Sequence, residues 1–225
     1  MMEVCARKLQ KDFIRKRAET NVFTAVAECD LTLPAGTLTV IKGRSGGGKS
    51  TLLNMLSGIL APTSGTVTYD GRDLYAMGDT ALSAFRNQQI GMIPQGKTAI
   101  ASLTVMENIL LPLTLYKETD EETARELMEC LAIDGLAGAM PEELSGGELR
   151  RMAIARALIR RPSVIFADEP TGDLDDENTK IVLDMLKRLT RDGITVLMVT
   201  HDGEAEAYAD RLYRMDAGQL RENGR

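Results

Sequence analysis

Gly43-Arg44-Ser45-Gly46-Gly47-Gly48-Lys49-Ser50 lies between an apolar run, Leu38–Ile41, and a stretch of helical spacing, Thr51–Leu56. The spacing fits the phosphate-binding loop GxxxxGK[ST], and a strand before it with a helix after it is the context that loop needs. Glycines let consecutive backbone N–H groups converge on phosphate oxygens where side chains would intrude. The helix N-terminus adds the positive end of its dipole. Lys49 would reach the β- and γ-phosphates, and the Ser50 hydroxyl would ligate Mg²⁺. Taken alone, the loop specifies a nucleotide and not which nucleotide hydrolase.

Outward from the loop, apolar runs rich in β-branched residues recur at Val67–Tyr69, Ile90–Ile93, Val164–Ala167 and Ile194–Val199, with helical spacing between several of them. Strands alternating with helices predict an α/β fold with a mostly parallel sheet. Val164–Phe166 and Ile194–Val199 do not alternate with polar residues, as central strands buried on both faces should not. From about Leu103 to Leu158 no strand is expected. Thr104 and Glu107 form a capping-box pattern, Asp120 caps a second helix at Glu121–Leu131, and Pro141 starts a short turn before Ser145. A helical insert is therefore predicted between two portions of an α/β core.

Val164-Ile165-Phe166-Ala167-Asp168-Glu169 ends a buried strand on two carboxylates, at the sheet rim where α/β folds hold ligands. Asp168 would hold Mg²⁺ and Glu169 could polarise the water attacking a γ-phosphate. Leu144-Ser145-Gly146-Gly147-Glu148 precedes the helical Leu149–Arg160. Ser-Gly-Gly at a helix start reads equally as a capped N-terminus or as a second anion-binding nest. Two phosphate cradles about a hundred residues apart are more than a single nucleotide obviously needs. A two-fold dimer, each subunit's second nest closing the partner's phosphate loop, would use both.

The composition excludes other classes. Lys and Arg number 27 against 33 Asp and Glu, giving a net charge of −6, and aromatics are 4% with no tryptophan. Neither property suits a protein that lives on nucleic acid. A membrane span needs about 18 consecutive apolar residues, and Ile109–Tyr116, interrupted by Pro112, falls short. Glu3, Arg7, Lys8, Lys11 and Asp12 break any secretion-signal core. Cys5, Cys29 and Cys130 are scattered, as reduced thiols are, and the lone histidine His201 rules out a histidine metal cage.

Pro94-Gln95, Leu144–Glu148, Val164–Pro170, Leu174-Asp175 and Thr200-His201-Asp202 follow the phosphate loop in the order found in the ATP-binding-cassette (ABC) ATPases. The chain resembles that family from about Cys5 to Leu220. The resemblance implies a RecA-like P-loop core with an antiparallel β subdomain and an α-helical insert, in one domain over 1–225. The core would comprise 1–96 and 150–225, and the helical subdomain 97–149. Gly43 to Thr51, including Ser45, Gly46, Gly47, Gly48, Lys49 and Ser50, resemble the Walker A motif. Gln95 resembles the Q-loop glutamine that senses Mg²⁺ and the attacking water. Ser145, Gly146 and Gly147 look like the signature that contacts ATP on the opposite subunit. Asp168 and Glu169 resemble the Walker B aspartate and catalytic glutamate, Asp175 the D-loop aspartate at the dimer seam, and His201 the switch histidine that orients Glu169.

The family also stacks adenine on an aromatic before the first core strand. Phe13 and Phe23 are the candidates, with Phe13 preferred from Lys11-Asp12-Phe13, and neither is the usual tyrosine. Leu149 after Glu148 and Pro94 before Gln95 are further departures. Arg150, Arg151, Arg156, Arg160 and Arg161 read as a solvated helix face with structural pairs. Ile109–Tyr116 reads as core before it reads as a partner face.

The resemblance implies ATP hydrolysis driven by closure of a homodimer around ATP and Mg²⁺. It also implies an integral membrane permease as partner, and a peripheral place on the cytoplasmic face of the inner membrane. Leu103–Asn108, the signature and Asp168–Asp175 resemble the lipoprotein-release and macrolide-export branch, with Asp173 where asparagine is common. The alternative is a soluble ABC ATPase acting on nucleic acid or the ribosome. Such proteins carry tandem cassettes, coiled-coil inserts or basic arms that this chain lacks. No direct nucleic-acid contact is expected.

Overall fold

The computed structural model describes residues 1–14, 22–96, 98–172 and 174–223. Strands β1 (Val4–Ile14) and β2 (Val22–Leu33) pair antiparallel, with Phe13 opposite Phe23. β3 (Leu38–Lys42) enters the glycine loop, and α1 (Lys49–Leu56) leaves it. β4 (Ser64–Tyr69) and β5 (Arg72–Asp73) complete an antiparallel sheet of order β2-β1-β4-β5. After α2 (Asp79–Gln89) and β6 (Ile90–Ile93), the chain makes α3 (Val105–Thr114), α4 (Glu121–Cys130) and α5 (Gly146–Leu158). It then returns through β7 (Val164–Asp168), α6 (Asp176–Arg191), β8 (Thr195–Thr200), β9 (Arg211–Asp216) and β10 (Gln219–Glu222).

The second sheet has the order β10-β9-β3-β8-β7-β6, and every pairing in it is parallel except that of β9 with β10. Its central strands show why an apolar run without alternation is a strand here. Ile165, Ala167, Val196 and Met198 face one core, shared with α3, α4, α5 and α6. Val164, Phe166, Leu197 and Val199 face the other, shared with α1 and the antiparallel sheet. Successive side chains point to opposite faces, so both faces must be apolar when both are covered.

The helices start where local chemistry directs. Thr104 caps α3 in a full capping box with Glu107, and the Asp120 side chain caps α4 by accepting from the Thr123 N–H. Between α4 and α5 only short 3₁₀ turns occur among the described residues, Asp134–Leu136 and Pro141–Glu143, so no strand interrupts the helical segment. α5 runs unbroken through residues 149 and 150. It packs on α3 and α4 and also on β6, which couples the helical segment mechanically to the sheet. Among the described residues, no helix is long and apolar enough to cross a membrane.

Candidate nucleotide site

The carboxyl ends of β3, β7 and β8 lie side by side, with Lys42 opposite Thr200 and Asp168 opposite Val199. The glycine loop, the acidic pair and the histidine follow these three strands, so parallel pairing alone gathers them at one rim. Two glycines have no substitute. A Cβ at Gly43 would stand 2.1 Å from the Met215 carbonyl oxygen. Gly48 has φ +100°, and a Cβ there would meet the Ala25 carbonyl oxygen at 2.3 Å.

A cavity at this rim is lined by Phe13, Phe23, Ala25, Ser45, Gly46, Gly47, Gly48, Lys49, Ser50, Thr51, Gln95 and Glu169. The Lys49 ammonium is buried and donates to the carbonyls of Gly43 (2.8 Å) and Arg44 (3.2 Å). It also lies 3.4 Å from Glu169 Oε1. The other Glu169 oxygen accepts from the Thr200 hydroxyl (3.0 Å) and the His201 N–H (3.2 Å), and it sits 2.9 Å from His201 Nδ1. Glu169 holds φ +47°, a left-handed conformation that a non-glycine residue rarely adopts. Its N–H is fixed to the Val199 carbonyl and its carbonyl accepts from Gly172. The backbone is held at both ends of this residue, aiming its carboxylate back over the sheet rim.

Asp168 meets the requirements for a divalent cation. Its Oδ1 is buried and has no hydrogen-bond partner among the described residues. Burial raises its pKa above the ordinary carboxyl value, and a hydrogen bond from the Ser50 hydroxyl opposes that rise. A hard oxygen ligand left unpaired beside a loop hydroxyl is the donor set that Mg²⁺ takes, with substrate phosphates and water filling the rest.

The second cradle opens elsewhere. Gly146, Leu149, Asp176 and His201 line a separate cavity together with Gln95 and Glu169. Ser145, Gly146, Gly147 and Asp175 are not among the residues around the phosphate-loop cavity. Ser145 caps α5 in a complete capping box. Glu148 Oε2 accepts from the Ser145 N–H and hydroxyl, both at 2.7 Å, and this holds the Glu148 carboxyl below its ordinary range. The capping reading is thus realised, while the Gly146 and Gly147 N–H groups still head the helix. Asp175 caps α6 through the Asn178 N–H at 2.8 Å, which lowers its pKa.

Arg150 requires a correction. It is not part of a solvated face but is 7% exposed. It donates to the carbonyls of Pro170 (2.7 Å), Pro94 (2.6 Å), Asp168 (3.1 Å) and Glu169. The residue therefore ties α5 to the segment before Gln95 and to the acidic pair. Only its spacing could have signalled this, since Leu149, Ile154 and Leu158 share its buried side. The Ile109–Tyr116 stretch divides: Ile109, Leu110 and Leu113 are core, whereas Leu115 and Tyr116 are exposed. Phe13 and Phe23 border the loop cavity equally, both 38% exposed, with Lys11 Nζ 5.2 Å from the Phe13 ring centre. Asp173 lies outside the described residues, as does Lys97 at the start of the 97–149 segment.

A parallel α/β core carrying this loop, acidic pair and rim histidine defines a P-loop nucleoside triphosphatase. The comparisons narrow the class. Residues 26–172 match the family described as ABC transporter. The ABC transporter ATP-binding protein YxdL of Bacillus subtilis is 40% identical over 220 residues, covering 96% of this chain and 86% of its own. The lipoprotein-releasing system ATP-binding protein LolD of Syntrophotalea carbinolica is 37% identical over 225 residues, covering 98% and 96%. The structure superposes with TM-score 0.89 and 32% identity on the dimeric post-hydrolysis ATP-binding cassette MJ0796 bound to ADP and Pi, over 99% of this chain and all of that one. The chain belongs to the ABC transporter family, as an ATP-binding and ATP-hydrolysing subunit.

Proposed function

We propose that two copies of this chain close around two ATP molecules and drive a separate membrane permease of the lipoprotein-release and macrolide-export type. One observation carries the reading. The phosphate loop lines one cavity and Gly146 of the Ser145–Gly147 turn lines another, and of the residues around them only Gln95 and Glu169 border both. Neither alone surrounds a triphosphate, and a two-fold partner supplies the missing half of each site.

Within that site Gly46, Gly47 and Gly48 offer backbone N–H groups to phosphate oxygens. Lys49 leaves the Glu169 carboxylate for the β- and γ-phosphates. Ser50 and Asp168 would hold Mg²⁺, with Gln95, two residues past the end of β6, as a further ligand. Held there, Mg²⁺ would supply Lewis-acid neutralisation of phosphate charge. Glu169, freed from Lys49, accepts a proton from the attacking water. The water oxygen bonds to the γ-phosphorus as the bond to the β–γ bridging oxygen breaks, giving ADP and phosphate. His201 holds Glu169 in position and faces the γ-phosphate. Ser145 and Gly147 of the partner subunit complete the cradle, with Asp175 at the seam, so loss of the γ-phosphate loosens the dimer.

Residues 97–149 transmit that motion, and α5 joins them to the catalytic rim through Arg150. The permease docks in a groove where α2 and β6 meet α3. Ile59, Leu115 and Tyr116 are exposed there, and the buried Asn87 Oδ1 has no partner among the described residues. A cytoplasmic helix of the permease would cover these apolar side chains. The chain then sits peripherally on the cytoplasmic face of the inner membrane.

The test is to isolate the tagged chain from gently solubilised native membranes. Stoichiometric recovery of an integral membrane protein, lost with Leu115→Glu, is expected. Recovery with ribosomes, with DNA or alone would overturn the transport reading.

A further inference from the structure

His201 sits between two cavities of opposite charge. On one side Lys42, Arg44, Arg214 and Arg221 dominate a cavity of about 760 Å³, with Asp216 the carboxylate among its lining residues. On the other side the charged lining is mostly acidic, with Asp176, Asp202, Glu204 and Glu169 alongside Arg150. Lys42 is engaged by Glu206 at 2.6 Å, but Arg44 and Asp176 are exposed and form no ion pair among the described residues. An isologous interface must be self-complementary, and a surface basic on one side and acidic on the other meets that demand when a two-fold axis turns one side onto the other.

The starts of α5 and α6 adjoin and are bonded to one another. The Arg151 guanidinium donates to Asn178 Oδ1, Asn178 is bonded to Asp175, and a Cβ on Gly147 would lie 3.2 Å from the same Asn178 oxygen. Asp176 therefore lies on the same face as Ser145–Gly147, joined to it through Asn178 and Asp175. Arg44 stands between Gly43 and Ser45 in the phosphate loop that the partner's Ser145–Gly147 would meet. From these placements we infer that Arg44 of each subunit pairs with Asp176 of the partner subunit as the dimer closes, adding charge registration to the closure. The inference rests on the homodimer reading above.

The test uses the full chain carrying Glu169→Gln, with ATP and Mg²⁺, and reads association by energy transfer between labelled subunits. Arg44→Glu alone and Asp176→Arg alone each place two like-charge pairs in their own homodimer, and each should weaken it about ten- to thirty-fold. Mixing the two variants places Glu opposite Arg at one pair and Arg opposite Asp at the other, so the heterodimer should recover near-parental affinity. Asp176→Asn, outside the phosphate loop, should make dimer affinity less sensitive to added salt than the parent's. A mixture no tighter than the single variants, together with an unchanged salt response for Asp176→Asn, would overturn the pairing. A parent that stays monomeric with bound ATP would instead overturn the homodimer.

Discussion

Lys49 Nζ stands 3.4 Å from Glu169 Oε1, so the lysine of the phosphate loop and the carboxylate at the end of the acidic strand form an ion pair. Both side chains are buried, where such a pair is screened little. Under the function proposed above, phosphate binding and base activation would be one event, since drawing Lys49 away would uncover Glu169.

Replacing Glu169 with Gln keeps the shape and removes the base. Turnover should fall by about 10²- to 10⁴-fold, while ATP affinity is equal or higher because Lys49 no longer has a competing anion. Steady-state rates and fluorescent-nucleotide titration separate the two. His201 acts through Glu169 Oε2 at 2.9 Å, so His201→Ala should slow the wild type but add little in the Glu169→Gln background. Independent, additive losses would contradict that coupling.

Asp168 makes opposite predictions for stability and activity. Burial raises its pKa above the ordinary 3.8, so the folded chain binds the proton more tightly than the unfolded chain. Its contribution to stability then falls as pH rises from 3.8 through the raised value. Asp168→Asn should abolish Mg²⁺-dependent hydrolysis yet stabilise the nucleotide-free protein by on the order of 1 kcal/mol, or roughly 2–4 °C in Tm. A lower Tm for the variant would show that the unpaired oxygen is satisfied in solution.

Phe13 and Phe23 face each other across β1 and β2 at the mouth of the loop cavity. Stacking on an aromatic ring is worth about 1–3 kcal/mol per base. The residue that carries adenine should cost ATP roughly 5- to 150-fold in affinity when changed to Ala, and leave tripolyphosphate binding unaltered. Phe13→Ala is expected to show the larger loss, with Phe23→Ala the comparison.

Arg150 is a structural prediction with a functional consequence. Arg150→Met leaves the carbonyls of Pro94, Asp168, Glu169 and Pro170 without their shared donor. Stability should drop by on the order of 3 kcal/mol, lowering Tm by roughly 6–12 °C. Turnover at permissive temperature should fall as well, because the segment leading to Gln95 and the Glu169 backbone lose a common anchor.

The strands that build the site were legible because two-sided burial leaves a run such as Val164–Ala167 with no polar residue, and β6 falls on Ile90–Ile93 as the sequence predicts. The capping-box pattern of Thr104 with Glu107 located α3, and Ser145 was legible as a possible helix cap before α5, because such signals are local. Long-range chemistry was not legible. Beyond its spacing on the buried side of α5, nothing local marks Arg150, because its partners are backbone carbonyls up to 56 residues away. Nor does the sequence reveal that Glu169 takes φ +47°, a strain imposed by the bonds to Val199 and Gly172. Helix α2 has no fully buried residue and packs on the core only through the partly buried Leu82 and Phe85, a weak signal for Asp79–Gln89.

The central claim is that one chain holds two half-sites, completed only by a second copy. The direct measurement is the solution mass of the Glu169→Gln variant at saturating ATP and Mg²⁺, with and without Ser145→Arg added to the same chain. The account predicts a doubling of the 24.6 kDa mass with ATP, and return to the monomer when Ser145→Arg spoils the second cradle. A nucleotide-saturated chain that stays monomeric, or a dimer indifferent to Ser145→Arg, would contradict it.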